Sequence, residues 1–439
     1  MLITASEVAS VAHGTLVGLD CKASGIAFDS RTLRLGQAFV ALGGDADGHD
    51  YLQAAATAGA SFAIVQRGRS TSALTCIEVD DCDAALTALG RHCRDRLSGS
   101  LEGRVIGITG SVGKTSTKDL VLAVLRSKYT NAHAPEKSLN NDIGVPVTII
   151  NAPDACDALV LEMGMRGLGE IARLCDVGQP HIGVITEVGD AHSERVGGID
   201  GVVRAKAELV QALPSEGIAI INSDSVNAMK TVHGIAAQVV TFGTSETSSV
   251  RWEIVSIDDH GCCTVRFTAG DESAVGTVPL PGIHMASNAA SAVAVGVTSG
   301  IELSQCVQAL SNAQSASQRM QWVTGRNGVR VLDDSYNANP LSVAAALRTV
   351  VDTPAKQRFA VLGVMAEVLD SQKAHREIAS LCKQVGIELL ALETDLYGTN
   401  PLSVDDIAIA LSRLGSDAVV LVKGSRVAAT ERVVHALIG

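Results

Sequence analysis

The sequence predicts an α/β protein of three domains: a small N-terminal α/β unit, a central parallel sheet carrying a phosphate loop, and a C-terminal Rossmann-like sheet. Three observations predict this. The chain has 439 residues, room for about three domains at roughly 150 residues each. From about residue 101 onward, apolar strand-like runs alternate with helical patterns, the signature of parallel sheets with right-handed crossovers. And Gly107–Lys118, GITGSVGKTSTK, sets a glycine-rich loop between an apolar strand and a helix. The expected domains are 1–98, 99–317 and 318–439.

In the first domain, Ala38–Leu42 and Phe62–Val65 read as strands and Tyr51–Ala58 as a helix, and the polar run Ser98-Gly99-Ser100 reads as a linker turn. Central strands are expected at Val105–Thr109, Leu159–Glu162, Ile182–Thr186, Ile218–Ile221 and Val239–Phe242, with a helix over Gly201–Leu213. Around Val250–Val278 the pattern changes to strands and turns, and a helix follows over Met285–Val297. The last domain shows strands at Val329–Leu332, Phe359–Leu362, Leu389–Leu392 and Val419–Val422, with helices at Lys373–Val385 and Ala428–Leu437. It has no GxGxxG fingerprint, so it need not bind a dinucleotide.

Hydrophobic residues make up 46% of the chain and aromatics 3%, so the cores are aliphatic. A net charge of −12 argues against broad nucleic-acid binding. The 10 cysteines are scattered with no CxxC pair, which fits a reduced, cytoplasmic compartment. The N-terminal stretch lacks a signal-peptide pattern, and no apolar run is long enough to span a bilayer.

The chemistry begins at Thr109-Gly110-Ser111-Val112-Gly113-Lys114-Thr115. Exposed amides and a helix N-terminus favour a phosphate there. Lys114 can reach the outer phosphates, and the Thr115 hydroxyl can ligate Mg²⁺. The usual phosphate loop leaves four residues between its glycines; here the position five before Gly113 is Ile108, so the loop is tighter. A triphosphate site follows, with kinase, switch and ligase all open.

Glu162 closes an apolar strand and can hold Mg²⁺ near that loop, because ligands gather at the carboxyl ends of parallel strands. His192 follows the next strand, which is expected to neighbour that of Glu162, and Glu187 and Asp190 are alternatives in the same loop. Lys206 lies on an amphipathic helix and by spacing alone reads as a surface lysine. Asp333-Asp334-Ser335-Tyr336-Asn337-Ala338-Asn339-Pro340 reads as a turn or as a ligand edge for a base and ribose. Lys423-Gly424-Ser425-Arg426 ends another strand in cations suited to a carboxylate or phosphate. Ser30-Arg31 and Gly48-His49 could contribute to an anion or sugar pocket.

Taken together, FDSRT with DGHDY, TGSVGKTSTK, SLNNDIGVP, LEMGMRGLGEI, TEVGDAH, AKAEL, HMASNAA, DDSYNANP and LVKGSR span the chain and resemble the Mur ligases. DDSYNANP discriminates within that family and against the folylpolyglutamate synthetases, which share the central loop. The resemblance implies an ATP-dependent carboxylate–amine ligase of peptidoglycan precursor synthesis, working through an acyl phosphate. The segments match the member type that joins UDP-N-acetylmuramoyl-tripeptide to D-alanyl-D-alanine. It implies a catalytic set of Lys114, Glu162, His192 and Lys206, and two Mg²⁺ ions held by Thr115, Glu162, His192 and a carbamylated Lys206. ATP would meet Gly110, Ser111, Gly113, Lys114, Thr115, Ser116, Asn288, Arg319, Asp334 and Asn337. Ser30, Arg31 and His49 would take the uridine end, Asn140 and Asn141 would lie near the nucleotide sugar, and Lys423 and Arg426 near the incoming dipeptide or a reaction phosphate. A cytoplasmic monomer is expected, with closure of the C-terminal domain over ATP.

Overall fold

The computed structural model describes residues 1–44, 46–189, 193–314, 316–366 and 368–438. Its three-part α/β architecture agrees with the sequence reading. Among the described residues, the strands form a five-stranded N-terminal sheet, an eight-stranded central sheet and a five-stranded C-terminal sheet, besides the short pairing of Ile3–Thr4 with Lys22–Ala23.

The central sheet positions the site. Its parallel core runs, in spatial order, Gln238–Gly243, Ile218–Asn222, Ile182–Ile185, Val105–Thr109 and Leu159–Glu162. Val105–Thr109 pairs on one side with Leu159–Glu162 and on the other with Ile182–Ile185. This corrects one expectation: the strand leading to His192 does not neighbour that of Glu162, because the phosphate-loop strand lies between them. The first crossover leads to one side of that strand and the next lands on the other. Such a switch point opens a crevice at the strands' carboxyl ends. Beyond Gln238–Gly243 the sheet continues as an antiparallel meander of Val250–Ile257, Cys262–Ala269 and Glu272–Pro281, the region where the sequence pattern changed.

The C-terminal sheet carries Gln321–Thr324 as an antiparallel edge, then Arg330–Asp334, Ala418–Lys423, Gln357–Leu362 and Glu388–Ala391 in parallel. Parallel pairing sets Asp334 beside Lys423 at the carboxyl edge.

The polar run Ser98-Gly99-Ser100 is not a turn. It belongs to the helix Cys82–Leu101, which ends one step later at Glu102 in the left-handed conformation, with Gly103 at φ 80°. The helix starts on Asp81, whose carboxylate accepts from the amides of Asp83 and Ala84. Continuation through Ser-Gly-Ser follows from burial: Leu97 and Leu101 on either side are in the core. That helix packs closely on the central domain, since a Cβ at Gly90 would stand 2.8 Å from Pro146 Cβ. The N-terminal ammonium group donates to Ala152 O at 2.5 Å, and the Asn151 side chain bonds Ile26 through both its oxygen and its nitrogen. Cores are therefore continuous across the first two units, and a second cluster joins the central and C-terminal units. All ten cysteines are free thiols. Among the described residues, no helix is long and apolar enough to cross a membrane.

Candidate active site

The phosphate loop is built by close approach. Gly110 has φ 156°, and a Cβ there would lie 2.0 Å from Thr186 Oγ1. Gly113, at φ 85°, precedes the helix Lys114–Arg126, and a Cβ on it would lie 2.7 Å from Asn288 Oδ1. Only glycine fits both conformation and space at these two points. The loop after Ile185 grips the phosphate loop. Ser111 N donates to Glu187 O at 2.7 Å, Ser111 Oγ donates to Gly189 O at 2.8 Å and accepts from Gly189 N, and Thr186 Oγ1 donates to Val112 O at 2.6 Å. Ser111 thus spends its hydroxyl on the scaffold. Lys114 Nζ folds back onto Gly110 O at 2.7 Å, while Gly113, Thr115 and Ser116 face the cavity at the helix N-terminus.

Glu162 is the hub beneath this loop. It is 1% exposed. Oε2 accepts from Thr115 Oγ1 at 2.9 Å, and Oε1 accepts from Ser138 Oγ at 2.6 Å and Asn140 Nδ2 at 2.9 Å. Asn140 therefore meets the site through Glu162. Asn141 also lines the cavity, and its Oδ1 accepts from the amides of Ile143 and Gly144 just ahead of the helix Gly144–Ile150.

Lys206 is the largest departure from what its spacing suggested. It is 1% exposed, on the helix Ile199–Gln211 between the buried Ala205 and Ala207. Burial holds its pKa well below the usual lysine range; Lys114 pushes the same way, and Glu208 and Glu170 pull back. Glu208 itself accepts from the amides of Gly169 and Ala172. Lys206 lies behind the cavity wall rather than on it. His192 and Asp190 lie outside the described residues. Of that loop, Glu187 is described: Oε1 accepts from Val188 N at 3.0 Å and from the Ser225 hydroxyl.

Across the cavity stands the C-terminal domain. Asp334 Oδ1 accepts from Met320 N at 3.2 Å and Oδ2 from Lys423 Nζ at 2.5 Å. Lys423 also donates to Asn337 O at 2.8 Å, so this lysine is spent inside the domain. The Asn337 side chain accepts from Ala338 N. The Arg319 guanidinium lies 4.1 Å from the Tyr336 ring centroid, covering one face of the aromatic that looked like a base platform. His284, on the helix Ile283–Thr298, faces Asp334 and Lys423 from the central domain, and burial lowers its pKa to about 4. Asn288, one turn on, lines the cavity beside Gly113. Arg426 stands at the rim, largely exposed, 3.6 Å from Glu431.

These groups share one cavity of about 1500 Å³. Ser30, Arg31 and His49 do not line it. Arg31 pairs with Asp29 at 2.8 Å on the surface, and Arg31 and Lys137 both hold the Asp29 carboxyl below its usual range. The neighbouring Arg34 pairs with Glu136 of the central domain at 2.8 Å. His49 Nδ1 meets Asp47 Oδ1 at 2.6 Å and its Nε2 accepts from Gln66 N, which pins the loop to a strand. The sequence reading gave no role to Ser138, His284 or Met320, although Ser138 opens the quoted segment SLNNDIGVP and His284 opens HMASNAA. The role of Met320 is carried by its backbone, which no side-chain pattern reports.

A tight phosphate loop at a switch point, a carboxylate hub under it, and a C-terminal sheet closing the same cavity define a three-part nucleotide-binding α/β protein. Comparison with known families narrows this. Residues 108–296 match the Mur ligase middle domain, and residues 318–426 match the Mur ligase, glutamate ligase domain. The chain is 33% identical over 422 residues to the UDP-N-acetylmuramoyl-tripeptide–D-alanyl-D-alanine ligase of Mycobacterium tuberculosis, covering 89% of this chain and 82% of that protein. It superposes on the crystal structure of MurF from Acinetobacter baumannii with a TM-score of 0.87 at 26% identity, covering 100% and 99% of the two chains. MurF ligase from Thermotoga maritima, solved in complex with ADP, matches with a TM-score of 0.79 at 26% identity, covering 94% and 96%. The chain belongs to the Mur ligase family.

Proposed function

We propose that this chain joins UDP-N-acetylmuramoyl-tripeptide to D-alanyl-D-alanine with ATP in peptidoglycan precursor synthesis. The observation that carries the reading is the single cavity uniting the phosphate loop, the Glu162 hub and the Asp334–Asn337 segment. Nearly full-length likeness to a relative bearing that activity supports the choice of substrates.

The reaction has two steps. A tripeptide carboxylate oxygen attacks the γ-phosphorus, the bond to the β–γ bridging oxygen breaks, and ADP leaves an acyl phosphate. The unprotonated dipeptide amine then attacks the acyl carbon; the carbon–oxygen bond to phosphate breaks, and phosphate and a proton depart. The chain's part is to position and to stabilise charge. The helix N-terminus at Gly113–Ser116 meets the phosphates. Lys114 exchanges Gly110 O for the γ-phosphate, and Asn288, Arg319, Asp334 and Asn337 take the nucleoside end.

Glu162 with the Thr115 and Ser138 hydroxyls, its carboxylate oriented by the Asn140 amide N–H, offers oxygen donors that would suit Mg²⁺ beside bound phosphate. Among the described residues, no cluster of three His, Cys, Asp or Glu side chains could hold a metal. The remaining metal ligands of this reading are His192 and a carbamate on Lys206. Bound Mg²⁺ would polarise the phosphoryl oxygens. Burial favours the neutral amine of Lys206, the form that adds to CO₂ to give the carbamate.

The three domains of this reading, 1–98, 99–317 and 318–439, divide the work into nucleotide-sugar anchoring at Ser30, Arg31 and His49, phosphoryl transfer, and delivery of the amine near Arg426. We place the enzyme in the cytoplasm as a monomer. The test is phosphate release from ATP with each substrate alone and with both. Release is expected only with UDP-N-acetylmuramoyl-tripeptide and D-alanyl-D-alanine together. Release indifferent to either, or a single amino acid preferred over the dipeptide, overturns the reading.

A further inference from the structure

Lys423 ends the strand Ala418–Lys423 in the middle of the C-terminal sheet, level with Asp334 on the adjoining parallel strand. Both are buried, at 2% and 8% exposure. Nζ lies 2.5 Å from Asp334 Oδ2 and 2.8 Å from Asn337 O. The other Asp334 oxygen accepts from Met320 N, beside Arg319. Tyr336 N donates to Gln318 O at 3.1 Å, so the incoming chain segment is laced to the same turn on both sides of Arg319. Gln318 and Met320 both have positive φ, at 63° and 48°. Left-handed backbone at non-glycine residues persists only where surrounding bonds over-determine it, and the Asp334 carboxylate supplies one of those bonds. Two residues past Lys423, Ser425 Oγ donates to Ala338 O at 3.1 Å and accepts from Ala366 N at 2.8 Å, fastening the far end of the turn.

We infer that Lys423 is a positioning residue for the nucleotide: it holds Asp334 and the Asn337 turn against Met320 so that Arg319, Asp334 and Asn337 stand ready as one surface. It is not a ligand of the incoming dipeptide. The reason is geometric. Nζ is occupied by a carboxylate and a carbonyl inside the domain, and moving it to a substrate would leave Asp334 buried without its cation, a heavy penalty. Burial already lowers the Lys423 pKa, and the Asp334 charge is what raises it again. His284 of the central domain faces the same pair, so the pair stands where the two domains meet over the cavity. This inference rests on the ligase reading for the identity of its substrates.

The experiment compares the full chain with Lys423→Met, Asp334→Asn and the double variant. ADP affinity is read by direct titration, and KM for D-alanyl-D-alanine by phosphate release. Lys423→Met is expected to weaken ADP at least tenfold and to leave the dipeptide KM within twofold. The double variant should be less than threefold worse than the poorer single one, because both act through one pair. A raised dipeptide KM with ADP affinity unchanged overturns the inference, as do independent, multiplying losses in the double variant. Should Lys423→Met fail to fold, Lys423→Gln, which keeps an N–H donor but loses the charge, is expected to weaken ADP by less than tenfold but measurably, and a raised dipeptide KM with ADP affinity unchanged overturns the inference there too. ADP titration needs no acceptor, so it decides the role of Lys423 even if the parent ligates a different amine.

Discussion

Glu162 and Arg31 are both charged, and both belong to the expected site, yet they stand at opposite extremes. Glu162 is 1% exposed with three side-chain donors on its two oxygens, under a loop whose glycines leave no room for a methyl group. Arg31 has a side chain 86% exposed, and its one ion pair is with Asp29, two residues away. The phosphate-loop end is assembled before any ligand arrives. Arg31, which the proposed function assigns to anchoring the nucleotide-sugar substrate, offers its charge on the surface, where a ligand would have to order it. Preorganisation matters most where charge develops during reaction, while a distant anchor contributes binding energy that needs little rigidity.

The strongest way to break this comparison is to add one methyl group at each end. Gly110→Ala meets Thr186 Oγ1 at 2.0 Å and keeps φ at 156°. The loop has to move, and we expect phosphate release to fall by about a thousandfold with a stability loss of about 1–3 kcal/mol. Gly68, in the N-terminal unit, also has positive φ at 76° but nothing within 4 Å of its added Cβ. Gly68→Ala should cost about 1 kcal/mol from backbone conformation and leave turnover unchanged. Similar turnover losses in the two variants would erase the distinction.

Acid probes the same rigid region through stability. His133 is held beside the Leu159–Glu162 strand, its Nε2 3.1 Å from Thr148 O, and burial lowers its pKa to about 4 from an ordinary 6.5. Between those values the unfolded chain binds a proton that the folded chain refuses, so stability falls as pH drops from 6.5 toward 4 and the cost is complete below that. His133 alone should account for up to about 3 kcal/mol. Chemical denaturation across this range should show a shallower slope in His133→Gln. An unchanged slope would mean that the ring is not buried as described.

The chemistry at the hub comes next in size. Glu162→Gln keeps the shape but removes the charge, and its single amide nitrogen replaces one acceptor oxygen, facing either Thr115 or the Ser138–Asn140 side. We expect kcat to fall by about a hundredfold, or about 2.7 kcal/mol of transition-state stabilisation, with ADP affinity changed less than threefold. A loss of ADP affinity with kcat unchanged would show that Glu162 serves binding alone.

The legibility of these features in the sequence follows from how local their causes are. The phosphate loop was readable because strand, glycines, Lys114 and helix are contiguous, and most strands stood within a residue or two of their expected bounds. Lys206 was not readable from spacing, since a lysine among alanines looks solvated until the helix is packed on both its sheet side and its Glu170–Gly178 side. The Lys423–Asp334 pair spans 89 residues and exists only because two parallel strands adjoin. The same holds for the neighbours of the Glu162 strand: periodicity reports which face a strand buries, not which strand lies beside it. Ser98-Gly99-Ser100 misled because local turn preference lost to burial of Leu97 and Leu101.

The smallest expected effect lies at the surface. Arg31→Ala removes an exposed charge whose partner is also near Lys137, so the stability of the folded state should be almost unchanged. If the segment anchors the nucleotide-sugar substrate, KM for that substrate should rise about three- to tenfold, kcat should hold, and the effect should shrink at high salt, as expected of an exposed charge meeting an anion. Arg34→Ala tests the neighbouring Glu136 pair, which ties the two domains together rather than facing a ligand; it should leave this KM alone. The two arginines thus separate anchoring from docking. A KM rise in Arg34→Ala but not in Arg31→Ala would move the anchor to the domain seam, and a fall in kcat for Arg31→Ala would mean that the surface end is coupled to chemistry, against the division drawn between the two regions.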